Sequence, residues 1–166
     1  MTRHTARGPS RIEEFTMTAR IANLSSLHPF ANEALGTLGS RAGEYGVEAS
    51  VLELTHLRVS QINGCAWCLE YGLRGAAKAG LTESQLIQVA GWRDSELFSP
   101  AERAALDLAE HMTRLADRSN PVPDAVWEEA ARHFDDGQLA GLVLWVATTN
   151  AYNRINVTTR RVPGTW

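Results

Sequence analysis

Cysteine is nearly absent from this chain. Two occur in 166 residues, Cys65 and Cys68, which excludes a disulfide-stapled scaffold. Long apolar runs are missing too. No stretch approaches the ~20 residues needed to span a bilayer, so no membrane partner is expected. Charge of one sign is not in excess: 16 Lys and Arg against 19 Asp and Glu give a formal −3. That removes any general electrostatic case for nucleic acid as a partner. There is no long repeat, no low-complexity run and no convincing domain linker, and strand signals are scarce. What remains is an ordinary soluble composition, 44% apolar and 21% charged, at a length that suits one domain with a real core.

The first eleven residues, MTRHTARGPSR, carry Arg3, Arg7 and Arg11 and no acid. They lack the apolar core of a secretory signal, so export is not expected. A basic, Ser/Thr-containing start also fits a transit peptide, but Glu13 and Glu14 follow at once. The plainer expectation is an unstructured tail over residues 1–18, a single helical domain over 19–166 and a cytoplasmic location. Met17 would serve as an alternative start.

Helix signals are plentiful. Residues 29–45 read as a helix with Pro29 in its first turn. Residues 48–62 carry Val51, Leu52, Leu54, Leu57, Val59 and Ile62 and suit a largely buried helix. Asn63-Gly64 breaks it. A second helical pattern runs over 65–79 and stops at Gly80. Thr82 with Gln85, and Ser99 with Glu102, have the form of capping boxes. The Ser99 box opens a helix with Ala101, Ala104, Ala105, Leu108, Ala109, Met112 and Leu115 on one face, and Glu102, Arg103, Asp107, Glu110 and Arg114 off it. Residues 124–133 form another helix. Asp135 and Gln138 open the last long one, apolar nearly all round from Leu139 to Ala147, and therefore central or an oligomer interface. The fold class is all-α, a bundle of six to seven helices. Asn150, Asn153 and Asn156 recur every third residue near its end. They read as a capped helix end or, more sharply, as an oligomer contact or pocket lining.

The chemistry concentrates in NGCAWCLEYG, residues 63–72. A thiolate is the nucleophile, and C-x-x-C at a helix start can lower one thiol from ~8.5 to roughly 3.5–7.5, because unpaired N–H groups of the first turn favour a negative sulfur. Three-residue spacing also leaves a disulfide geometrically available. Two alternatives stay open on spacing alone. One is a metal half-site, but the histidines at 4, 28, 56, 111 and 133 form no second ligand pair, so no metal is expected. The other is a pair of inert core thiols. A hairpin at Asn63-Gly64 would bring Glu53 level with residues 72–74, where an apolar setting can raise its pKa for proton transfer. A salt-bridged Glu53, with Arg58 or Arg74, is the plainer alternative. His56, one turn on, reads as a surface histidine or as a hydrogen-bond partner of Glu53. Trp67 reads as packing and Glu70 as solvated.

The segment ELTHLRVSQINGCAWCLEYG resembles the alkylhydroperoxidase D-like branch of the carboxymuconolactone decarboxylase family. The similarity extends over roughly residues 20–157, through AGLTESQLIQVAGWRDSELFSPAERAALDLAEHMTRLAD to NAYNRINV. The resemblance implies an alkylhydroperoxidase D-like helical fold assembling as homo-trimers or hexamers, with no cofactor. It also implies a thiol peroxidase or disulfide reductase acting on hydroperoxides. Cys68 would meet the peroxide and become a sulfenic acid, and Cys65 would close the disulfide. A dithiol protein or small thiol would restore the pair, and Glu53 would relay protons. The helix-end argument taken alone favours Cys65 as the more acidic thiol, so the two lines diverge. The family motif carries His four residues after the second cysteine, where this chain has Gly72. Loss of that group would weaken general-base help by ~10²–10⁴-fold unless something replaces it, and His56 is the candidate. A large rise in rate on Gly72→His would show that the relay is otherwise intact. Two other functions remain open: a lactone-acid decarboxylase that does not need the cysteines, and a non-catalytic redox sensor or binding protein.

Overall fold

The computed structural model describes residues 17–21, 24–116 and 118–165. The expectations for residues 1–16, tail or transit segment, lie outside the described residues. Within them the secondary structure is helical, without a strand. A single turn, α1 (Leu24–Leu27), precedes α2 (Pro29–Gly43), α3 (Ala49–Asn63), α4 (Ala66–Lys78) and α5 (Glu83–Gln88). A 3₁₀ stretch over Val89–Asp94 leads to α6 (Pro100–Thr113), α7 (Asp124–Ala131) and α8 (Asp136–Thr159). Besides the single turn α1, that is seven α-helices among the described residues, as the patterning predicts.

The punctuation acts as its chemistry requires. Thr82 with Gln85, Ser99 with Glu102 and Asp135 with Gln138 each form both halves of a capping box, satisfying N–H groups that a helix start leaves open. Gly80 ends the α4 region at φ +76°, a conformation that carries no Cβ penalty only for glycine. Several C-terminal boundaries fall short of the pattern: α2 stops at Gly43 rather than 45, and α7 at Ala131 rather than 133. The α6 pattern runs to Leu115, but the helix stops at Thr113 and Leu115 is exposed.

α3 is the centre of the bundle. Its Val51, Leu52 and Val59 pack with Ala105, Leu108 and Ala109 of α6 and with Leu139, Leu142 and Val146 of α8. On another side Leu54 meets Leu106, Val89, Trp92 and Phe98. The apolar half of α8 is therefore core, while Ala140 and Ala147 are exposed. Among the described residues no helix is long and apolar enough to cross a membrane.

Glu110 corrects the helical-wheel reading. It is expected off the apolar face of α6 but is buried. Its Oε1 accepts from Arg58 Nε at 2.5 Å and from the Trp92 indole N–H at 3.1 Å. Its Oε2 accepts from Arg93 and Arg114, both at 2.8 Å. Arg93 also pairs with Asp107. Burial by itself would raise the Glu110 pKa. The hydrogen bonds from Arg93, Arg58, Trp92 and Arg114 outweigh it and bring the group down to about 2. Four donors on one carboxylate tie α3, the 3₁₀ stretch and the C-terminal end of α6 together.

Because the folded pKa lies below the unfolded one, this carboxylate stabilises the fold above pH ~4.5, and that contribution is lost as pH falls toward 2. Thermal unfolding across this window should show Tm dropping. Glu110→Gln should cost about 3 kcal/mol at neutral pH and flatten the acid limb. A variant that melts like the parent at pH 7 would remove the role assigned to the cluster.

Candidate functional site

The site begins at a turn. Gly64 takes φ +68° and ψ +31° at the end of α3, and the Cys65 N–H closes back on the Ser60 carbonyl at 3.0 Å. This is the left-handed glycine cap expected of Asn63-Gly64. It reverses the chain so that α4 returns antiparallel along α3. Cys65 becomes the N-cap of α4, and its Sγ accepts from the Cys68 N–H at 3.3 Å. The two cysteines are joined as a disulfide with Cα atoms 5.3 Å apart. Both are buried, and the Asn156 amide donates to Cys68 Sγ at 3.4 Å.

The three asparagines of α8 neither cap its end nor sit on a free surface. They are buried and brace the turn. Asn63 Nδ2 donates to the side-chain oxygens of Asn150 and Asn153, each at 2.9 Å. Asn153 Nδ2 donates to Ser60 Oγ at 3.1 Å, and Asn150 Nδ2 to Thr113 Oγ1 at 3.2 Å. Sequence spacing detects their periodicity but not the direction they face.

The hairpin sets a ladder of pairs. His56 lies level with Gly72. A Cβ built on Gly72 would stand 2.7 Å from His56 Cδ2 and 2.9 Å from Leu57 Cδ2. Glu53 lies level with Gly75, one position beyond the expected 72–74, and its carboxylate fills the place a Gly75 side chain would take. Gly75 and Cys68 are seven residues apart, or ~10 Å along the helix axis, so Glu53 is outside direct hydrogen-bonding reach of the sulfur. His56 stands between them, with Nε2 at 3.0 Å from the Cys68 carbonyl. A carbonyl only accepts, so Nε2 carries the proton and Nδ1 is left as an acceptor.

His56 is thus not a surface residue, and it bonds the cysteine backbone rather than Glu53. Burial lowers its pKa, against a smaller upward pull from the Cys68 carbonyl, which keeps the ring neutral at physiological pH. Glu53 is half-buried, and desolvation raises its pKa to about 7. Arg58, a sequence-level candidate partner for it, is committed to Glu110.

A cavity of about 480 Å³ lies between α2 and α8 and reaches Cys68, His56 and Trp67. On the α2 side Gly36 and Gly39 face Tyr152 and Thr148 of α8, and a Cβ there would make ordinary contacts at 3.8 and 3.5 Å. Trp145, Tyr152 and Arg161 complete the wall, and sequence reasoning missed all three. Aromatic residues in an apolar helix read as packing, and Arg161 follows the helix end with no local signal. Trp67 does pack, stacked on Tyr71 and donating to the Thr165 carbonyl at 2.7 Å. Among the described residues no group of three or more metal-ligating side chains converges.

The carboxymuconolactone decarboxylase family model matches residues 31–111. The chain is 37% identical over 111 residues to the uncharacterised protein YdfG of Bacillus subtilis, covering 67% of this chain and 74% of that one. It is 34% identical over 107 residues to the uncharacterised protein YnjA of Escherichia coli, covering 64% of this chain and 57% of that one. Its fold is similar to the crystal structure of ATU0492 from Agrobacterium tumefaciens, a protein of unknown function proposed to be the antioxidant defence protein AhpD. The TM-score is 0.82 at 29% identity over 90% of this chain and all of the other.

The Gly72–His56 approach leaves no room for a second imidazole at position 72, since even a methyl would displace the buried His56 ring. Gly72→Ala should cost ~1–3 kcal/mol as an overpacking change. The penalty should shrink below ~1 kcal/mol when His56 and Leu57, the two side chains it would meet, are both Ala. Urea unfolding of the four proteins of this cycle measures it, and equal penalties in both backgrounds would contradict the geometry.

Proposed function

The chain belongs to the carboxymuconolactone decarboxylase family, and from that premise we propose that it is a thiol-dependent peroxidase or disulfide oxidoreductase cycling Cys65 and Cys68. The observation that carries the reading is the bonded pair at the start of α4, with Cys68 on the wall of a cavity that Cys65 does not reach. The kinship in fold to a protein proposed for antioxidant defence supports it.

In the reduced chain the Cys68 thiolate attacks the terminal oxygen of a hydroperoxide. The O–O bond breaks, the alkoxide takes a proton and leaves as the alcohol, and Cys68 becomes a sulfenic acid. The Cys65 thiolate then attacks Cys68 Sγ. The S–O bond breaks, hydroxide takes a proton and leaves as water, and the disulfide forms. A dithiol protein or small thiol reduces the pair by exchange.

The helix-end and cavity arguments divide the work. The Cys68 N–H aimed at Cys65 Sγ favours a thiolate on the resolving cysteine. Asn156 offers an N–H to Cys68, the sulfur that meets substrate. The neutral His56, with Nδ1 as acceptor, is the group to receive or return protons near Cys68. Glu53, titrating near 7, would exchange them through His56. Activity as a homo-trimer or hexamer in a cytoplasm that supplies thiol reductant belongs to the same proposal.

One equivalent of an organic hydroperoxide should lower the mass of the reduced chain by its two thiol hydrogens. Cys65→Ser should leave a Cys68 sulfenic acid that dimedone traps, and Cys68→Ser should leave peroxide unconsumed. The rate should show an inflection near pH 7 that Glu53→Gln removes. If both thiols still titrate after peroxide, the reading fails. A single oxidation with no turnover under excess dithiothreitol would favour a redox sensor instead.

A further inference from the structure

The thiol chemistry has no use for so large a cavity. About 480 Å³ lies within the ~300–1,000 Å³ of sites that enclose organic molecules, and hydrogen peroxide would leave nearly all of it empty. Its walls are specific. Trp67 and Tyr71 are stacked with centroids 5.3 Å apart and planes within 12°. Trp145 and Tyr152 of α8 supply further aromatic surface. Flat apolar surfaces of this kind favour a planar, polarisable guest.

One cation completes the lining. Arg161 places its guanidinium carbon 3.7 Å from the centroid of the Trp67 ring. No carboxylate lines the cavity, and no described Asp or Glu forms an ion pair with Arg161. Burial pulls the Arg161 pKa down, with Tyr152 opposing, yet a guanidinium keeps its charge throughout the working range. A half-desolvated cation stacked on one face still presents its N–H edge, the geometry that takes a carboxylate through two parallel hydrogen bonds.

The backbone ties the root of this side chain to the residue that bonds the sulfur. Arg160 ends α8 in the left-handed region at φ 53°, a conformation that costs a non-glycine residue ~1–2 kcal/mol. The reversal lets the Arg161 N–H bond the Asn156 carbonyl at 2.9 Å. Asn156 is also the residue whose amide donates to Cys68 Sγ. Asn156 therefore holds both the main chain of Arg161 and the Cys68 sulfur, and the Trp67 ring locates the guanidinium.

We propose that this cavity is the binding site for a planar aromatic substrate carrying a carboxylate, with the anion on Arg161, the ring between the aromatic walls and the reducible group at Cys68. The identity of that reducible group, a hydroperoxide, rests on the function proposed above; the anion site does not.

The disulfide form separates the two, because it binds without reacting. 2-Naphthoate, followed by quenching of tryptophan fluorescence and by calorimetry, should bind one per chain, and 2-naphthamide at least ten-fold more weakly. Arg161→Gln should bring the acid to the level of the amide, and Arg161→Lys should lie between. The acid–amide comparison on the unaltered chain needs no variant. Equal affinity for acid and amide, or no saturable binding of the acid into the millimolar range, overturns the proposal. Naphthoate bound as described while peroxide leaves both thiols intact would sink the peroxidase reading and keep the anion site. Oxidation of the pair without naphthoate binding would do the reverse.

Discussion

The closeness of α3 and α4 is the constraint on which the site depends. At two positions the helices leave no room for a side chain between them, and at both the sequence of α4 has glycine. Gly72 admits the His56 imidazole and Gly75 admits the Glu53 carboxylate. With any larger residue the helices would separate or these two groups would be expelled toward solvent. The left-handed turn at Gly64 brings the helices together, and the antiparallel return decides which α3 residue meets which α4 residue. The protonation states then follow from the packing. His56 is neutral because burial outweighs its hydrogen bond to the Cys68 carbonyl, and Glu53 titrates near 7 because it is partly desolvated on Gly75.

Two glutamates show how far environment outweighs residue type. Glu53 and Glu110 both sit on helices of the core, yet their pKa values lie on opposite sides of the ordinary value, about 7 and about 2. Desolvation pushes both upward. For Glu110 the hydrogen bonds from three arginines and an indole reverse it, so the group is structural and permanently charged at neutral pH. For Glu53 no resolved interaction opposes burial, so it can gain and lose a proton under physiological conditions.

The polar half of α8 joins these features. A buried asparagine is costly unless its donors and acceptors are paired, and Asn150, Asn153 and Asn156 are paired to the end of α3, to α6 and to Cys68. The helix that supplies apolar bulk to the core in its first half thus holds the redox turn in its second. Apolar burial drives helix association without direction. Hydrogen bonds of fixed geometry choose one register, and the register of α3 on α4 is the one that matters here.

The sequence by itself determined the helices, their caps and the reactive pair, because those features are local. A capping box spans three residues, Asn-Gly marks its own turn, and C-x-x-C puts two sulfurs on one helical turn wherever the helix lies. It also placed Glu53 to within one residue of its station on α4, since a hairpin with a known turn has little freedom. Only the tertiary structure decided the rest. It turned Glu110 inward, because wheel position cannot reveal that arginines from two other elements will meet it. It put His56 into the space beside Gly72, because a missing Cβ is informative only once the facing helix is known. It also carried Arg161 and the aromatic residues of α8 to the sulfur. Those residues are separated from Cys68 by more than seventy positions, and no periodicity in a chain encodes which distant face a helix will cover.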